Sequence, residues 1–169
     1  SIGKVFVWNG DSKIFFAMIK IVEDKINIEN DTKIGLVRVI VLVEDSAKYY
    51  SKYLPLLYKI VLEQTRRVID DVSTDELYKL LKLKARPKII LASNYEDAIN
   101  IIRQYQDYML CMITDVKFPK DNILDENAGL KLVKYVRENM KFIPTIIQSS
   151  EEENSKIAFE LKSTFINKN

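Results

Sequence analysis

The chain has 169 residues, a formal net charge of +2 and a composition that is 47% hydrophobic and 30% charged. This length suits one domain with a single apolar core, or one domain with a short appendage; the mixed composition argues against a disordered or membrane-embedded chain, and the small charge argues against a nucleic-acid footprint. Histidine is absent, which removes Ser-His-Asp and Cys-His nucleophilic sites, His-ligated metals and any role as a phospho-histidine carrier.

The N-terminal stretch shows no secretory leader. KVFVW (4–8) predicts a strand, Asn9-Gly10-Asp11 a turn, and residues 12–26 an amphipathic helix. Residues 1–35 thus read as a strand-helix appendage to a domain spanning 36–169. Either it is the tail of a preceding domain, or its helix takes the place of the helix that would follow a last strand near Asn169.

From residue 36 onward, short β-branched runs alternate with amphipathic stretches, the pattern of βαβ units. Strands are predicted at 37–43, 88–92, 109–114, 144–148 and 164–167, with helices near 47–70, 94–106, 127–139 and 151–161. The helix after the first strand carries Tyr50, Tyr53, Leu54, Leu57, Val61 and Val68 at helical spacing, and Pro55 should kink or break it. A second helix after Ser73 or Thr74, with Leu77, Leu80 and Leu81, would complete a helical hairpin inserted at about 46–86. Asn94 is placed to cap the next helix, whose apolar face is Ala98, Ile101, Ile102 and Tyr105. Ser150 with Glu153 reads as a capping box for the last helix. Cys111, the single cysteine, lies in an apolar strand as plain core; the reading favours a reducing, cytoplasmic compartment. The four glycines form no GxGxxG or Walker loop. The fold class expected is α/β: a doubly wound, flavodoxin-like, five-stranded parallel sheet covered on both faces.

Polar residues stand where the apolar runs stop: Glu44 and Asp45 after VIVLV, Asp115 closing CMITD, Ser149 in IIQSS and Lys168 in FINKN. In a parallel sheet such run ends gather along one edge. Three carboxylates, a hydroxyl and an ammonium would meet there, a set suited to a divalent cation and a phosphoryl group.

In order and context these segments, VIVLVEDS, ITDVKFP, PTIIQSS and TFINK, resemble the signature segments of the receiver domain of two-component response regulators, across residues 37–168. The resemblance implies that Asp115 is the phosphoacceptor. It implies that Asp45 and Asp115, with Glu44 acting through water, hold Mg²⁺ together with the backbone carbonyl of Lys117. Ser149 matches the switch hydroxyl, Phe165 the switch aromatic, and Lys168 the lysine that neutralises phosphoryl charge. The partner implied is a histidine kinase or phosphotransfer protein, and the module would be a phosphoprotein rather than a free-standing enzyme, able at most to catalyse its own phosphorylation and dephosphorylation. Three departures stand beside this. Asn169 replaces the usual proline after the lysine; Gly129 lies further from Asp115 than usual, so that KDNILDEN (120–127) is an insertion beside the site; and the hairpin at 46–86 is extra. That hairpin is similar to ones in receiver-like regions of larger bacterial signalling or phosphoenolpyruvate-synthase-like proteins. The alternative reading is a pseudo-receiver: the same fold serving as a docking or dimerisation module through the helical insertion, without phosphotransfer. No nucleic-acid or membrane partner is expected of this segment.

Overall fold

A computed structural model describes residues 3–70, 75, 85–140 and 142–169. Contacts divide the chain into two compact units, Ser1–Arg38 with Ser46–Lys88, and Val39–Asp45 with Ile89–Asn169.

In the first unit, helix α1 (Lys13–Lys33) packs on helix α2 (Ala47–Asp70). α1 runs a turn and more beyond the expected end, because Ile28 and Thr32 continue the buried stripe begun by Ile14 and Ala17. The Asn9-Gly10-Asp11 turn is present, with Gly10 at φ +90, a conformation that favours glycine. Residues 4–8, expected as a strand, are not one. No strand runs beside them among the described residues, and their polar groups find side chains on α2 instead: Val7 N–H donates to Ser51 Oγ at 2.9 Å, and the Tyr50 hydroxyl donates to the Val5 carbonyl. Phe6 meets the Tyr50 ring edge-on.

α2 runs through Pro55 unbroken, so of the expected kink or break the break does not occur. The cost of an interior proline, about 3 kcal/mol, is outweighed by burial of Tyr50, Leu54, Tyr58 and Val61 along one side. The stripe ends on Ile69 rather than Val68, which is 66% exposed. The expected second helix of the hairpin, with Leu77, Leu80 and Leu81, lies outside the described residues.

A buried ionic cluster ties this unit together. Asp24, wholly buried on α1, receives both guanidinium nitrogens of Arg86 (Nη2 at 2.7 Å, Nη1 at 3.1 Å) and the Tyr58 hydroxyl at 3.0 Å. Burial and the Asp24 charge push the Tyr58 hydroxyl far above its ordinary pKa, so it stays a donor. Lys88 pairs with Asp31 at 2.8 Å.

The second unit is built on a five-stranded sheet in the order β2-β1-β3-β6-β7, where β1 is Val39–Val43, β2 Lys88–Ala92, β3 Met109–Asp115, β6 Thr145–Ser149 and β7 Thr164–Asn167. Its pairings are parallel, and this is the flavodoxin-like order expected. All five β1 residues are buried, as an interior parallel strand requires. Helices α3 (Tyr95–Tyr105) and α4 (Ala128–Asn139) pack on each other and on β1 and β6, and α5 (Asn154–Glu160) packs on β7. Asn94 caps α3 as expected, its side-chain oxygen accepting from Asp97 N–H at 2.7 Å, although Ile99 rather than Ile101 completes the buried face.

The KDNILDEN insertion forms most of an antiparallel hairpin, β4 (Phe118–Lys120) with β5 (Ile123–Asp125). Asp121 and Asn122 both take positive φ, 53 and 63, the signature of a type I′ turn whose twist suits paired strands. Among the described residues no helix is long and apolar enough to cross a membrane.

Removing the guanidinium from Asp24 should expose how much the first unit depends on it. Arg86→Met is expected to lower unfolding free energy by about 3 kcal/mol in urea denaturation, and a loss below about 1 kcal/mol would mean that Tyr58 and Lys88 compensate the carboxylate on their own.

Candidate functional site

Strand register brings the acidic residues together. Val43 pairs with Thr114, so the residues that follow, Glu44 and Asp115, emerge side by side. Asp115 pairs with Gln148, and Ser149 with Asn167. Lys168 N–H then donates to the Ser149 carbonyl at 3.0 Å, extending the ladder by one residue. The site therefore lies at the carboxyl edge of the sheet, where the chain switches direction between β1 and β3, the usual place for sites in open α/β sheets.

Glu44, Asp45 and Asp115 each offer a carboxylate oxygen within 4.8 Å of the others. Glu44 is wholly buried, Asp45 exposed and Asp115 in between. Lys168, 8% exposed, reaches Glu44 Oε2 at 2.6 Å and Asp115 Oδ2 at 2.8 Å. Burial alone would lower the Lys168 pKa, but its hydrogen bonds to Asp115 and Glu44 more than reverse this and hold it above its ordinary value. The lysine is a buried cation that offsets part of the carboxylate charge. Clustered carboxylates of this kind are a donor set that hard divalent cations prefer, and the partly open rim formed by Asp45 and Asp115 fits such an ion.

Asp115 Oδ1 accepts from Val116 N–H at 2.7 Å. Behind it, Gly129 N–H donates to the Val116 carbonyl at 2.9 Å. A Cβ on Gly129 would lie 1.8 Å from the Asp115 carbonyl oxygen, so only glycine admits the start of α4 against this turn. The greater sequence distance between Asp115 and Gly129 is absorbed by the hairpin.

Of the expected switch residues, Ser149 is buried at the end of β6, where its hydroxyl oxygen accepts from Glu151 N–H at 3.1 Å and from the Asn154 amide at 2.9 Å. The expected Ser150–Glu153 capping box is not formed, since α5 begins only at Asn154 without a side-chain cap. Ser149 turns the chain in its stead, through a short side-chain-to-backbone loop. Phe165 is half-buried on β7, paired with Ile147. The Lys117 side chain bridges Glu126 at 2.5 Å and Glu151 at 2.7 Å. Asn169, standing where a proline was expected, donates its side-chain amide to the Ser150 carbonyl at 3.2 Å. Sequence reading missed Gln148, whose buried amide donates to Glu44 Oε2 at 3.1 Å; a glutamine one residue short of a strand end, inside an otherwise apolar run, was the signal.

Two measurements check this geometry. Gly129→Ala should cost about 2 kcal/mol or more in thermal or urea unfolding, since the obstructing atoms are backbone. An ammonium with a raised folded pKa contributes stability that is whole below its ordinary value of 10.5 and drains away as pH climbs through the folded value. Lys168→Met should therefore flatten the alkaline fall in urea midpoint above about pH 10.5, relative to the parent chain; parallel curves would contradict the assignment.

No protein-family model and no curated protein matches the chain. Among solved structures, a response regulator receiver domain protein from Clostridium thermocellum aligns over 78% of this chain and 82% of its own, at 15% identity and a TM-score of 0.50. The Mn²⁺-bound form of response regulator Rcp1 aligns over 78% and 81% at 18% identity and a TM-score of 0.45. The chemotaxis protein CheY4 of Vibrio cholerae aligns over 78% and 87% at 14% identity and a TM-score of 0.45. With the 2-1-3 strand order at its start, the five-stranded parallel sheet gives the chain the fold of a response-regulator receiver domain.

Proposed function

We propose that this chain is a phosphoacceptor receiver, taking a phosphoryl group on Asp115 from the phospho-histidine of a partner kinase or phosphotransfer protein and signalling by conformational change. The observation that carries the reading is the convergence of Glu44, Asp45 and Asp115 with one lysine shared between Glu44 and Asp115. Asp45, Asp115 and the Lys117 backbone carbonyl would hold Mg²⁺, with Glu44 acting through water. The ion, when bound, would neutralise charge on the phosphoryl oxygens.

The rest of the chemistry belongs to the chain. Asp115, held by Val116 N–H, presents a carboxylate oxygen to phosphorus. The O–P bond forms as the donor's N–P bond breaks, its electron pair staying on the imidazole nitrogen. Lys168 lies 2.8 Å from Asp115 Oδ2, close enough for its ammonium to follow the incoming charge. A phosphoryl group adds negative charge and acceptor oxygens, which would draw the Ser149 hydroxyl from Glu151 and Asn154 and let Phe165 turn into the space it vacates.

One observation favours the second reading, a docking or dimerisation module: Leu56 and Ile60 lie one helical turn apart on α2 and are 52% and 55% exposed, an apolar strip suited to a second copy. Mass spectrometry after exposure to acetyl phosphate and Mg²⁺ separates the two. Gain of one phosphoryl group that is lost in Asp115→Asn is the expected result. No adduct and no Mg²⁺ binding, together with a dimer in sedimentation that Ile60→Glu dissociates, would replace the phosphoacceptor by the docking module.

A further inference from the structure

Glu44 Oε2 accepts two hydrogen bonds, from the Lys168 ammonium at 2.6 Å and from the Gln148 amide at 3.1 Å. The two donors differ in kind. Lys168 is charged and also reaches Asp115 Oδ2, whereas the Gln148 amide is neutral and bonded to Glu44. Gln148 is 4% exposed, pairs with Asp115 in the β3–β6 ladder and immediately precedes Ser149. A long amide inside an apolar strand is costly to bury without a hydrogen bond, and here the bond it makes crosses β3 to the carboxylate beside the phosphoacceptor position.

We propose that Gln148 is a positioning residue: it keeps the Glu44 carboxylate in place and so frees Lys168 to carry its charge to whatever anion forms on Asp115. The inference rests on the phosphoacceptor reading. Its physical basis is the cost of stripping a buried carboxylate of its cation. When Lys168 moves toward phosphoryl oxygens, Glu44 loses ammonium contact while remaining out of water. A donor that stays behind lessens that loss, and a neutral one does so without competing for the new anion. With Gln148 removed, Glu44 would hold Lys168 more tightly, and the penalty would fall on the phosphoryl state rather than on the resting acidic cluster.

The consequence is a split between two ligands. Calorimetric titration with Mg²⁺ alone, then with beryllofluoride at saturating Mg²⁺, measures the resting site and the acyl-phosphate mimic separately. Gln148→Met, similar in length and without a donor, is expected to weaken beryllofluoride binding about tenfold, roughly the worth of one hydrogen bond to a charged group. Mg²⁺ affinity should change less than about threefold. Gln148→Glu, which gives Lys168 a third carboxylate to serve beside Glu44 and Asp115, should weaken the mimic further while leaving Mg²⁺ binding equal or tighter. Gln148→Thr supplies the same comparison if the methionine variant does not fold. Equal weakening of both ligands would mean a merely structural glutamine and overturn the inference, as would no change in either. A parent chain that binds neither Mg²⁺ nor beryllofluoride overturns the phosphoacceptor reading itself and this inference with it.

Discussion

A carboxylate with no surface in water cannot remain charged without a cation at hand, and Glu44 meets that constraint with Lys168, 124 positions later in the chain. The contact forms only when β1, β3, β6 and β7 lie in order, because the lysine leaves the far edge strand and must reach back across two neighbours. The acidic site is therefore not a local motif that could exist on a partly folded sheet. It is assembled by a contact 124 positions apart in the chain, and its integrity reports on the order of these four strands. The same ammonium also contacts Asp115, so the group that satisfies the fold also sits at the acidic cluster.

The first unit uses a parallel solution with a different purpose. Asp24 is equally buried, but its guanidinium partner is bidentate and stacked over the Tyr58 ring at 5.4 Å, a geometry in which little is left to move. Where Asp24 has a rigid fork, Glu44 has a flexible amine and a neutral amide. Rigid pairing suits a helix anchor; divided pairing leaves the Lys168 ammonium shared between two carboxylates.

Much of this was legible in the sequence because parallel strands buried on both faces write themselves as unbroken β-branched runs, and because the polar residue ending each run is conspicuous. VIVLV, KIILA and TFIN fell where expected, and Glu44, Asp45, Asp115 and Lys168 came together. What misled had local causes. KVFVW has strand composition, yet composition says nothing of whether a neighbouring strand exists, and its hydrogen bonds go to Ser51 and Tyr50 instead. Pro55 is a breaker by propensity, overruled by the side chains buried around it. The Ser150–Glu153 spacing satisfied a capping rule while the adjacent hydroxyl, Ser149, made the turn. The hairpin at 118–125 was visible only as extra length, since its Asp-Asn turn lacks the glycine that usually announces a type I′ turn. Gln148 carries a weaker signal than Ser149, since it lies just inside the strand end, where the apolar run is expected to continue.

The hydrogen bond from Gly129 to Val116 closes a ring of chain whose two ends meet directly behind Asp115. Everything between them, the hairpin included, is an excursion that departs from and returns to a single fixed point. Because the entropy of closing such a loop rises only slowly with its length, by roughly 0.6 kcal/mol per doubling, the exposed turn at 121–124 can lengthen or shorten with little effect on the aspartate, whereas Phe118, wholly buried, holds the base of the hairpin in place. The tip of the hairpin is thus a cassette: an exposed turn at the rim of the site whose length is open to variation, hung from a buried phenylalanine and a glycine that are not.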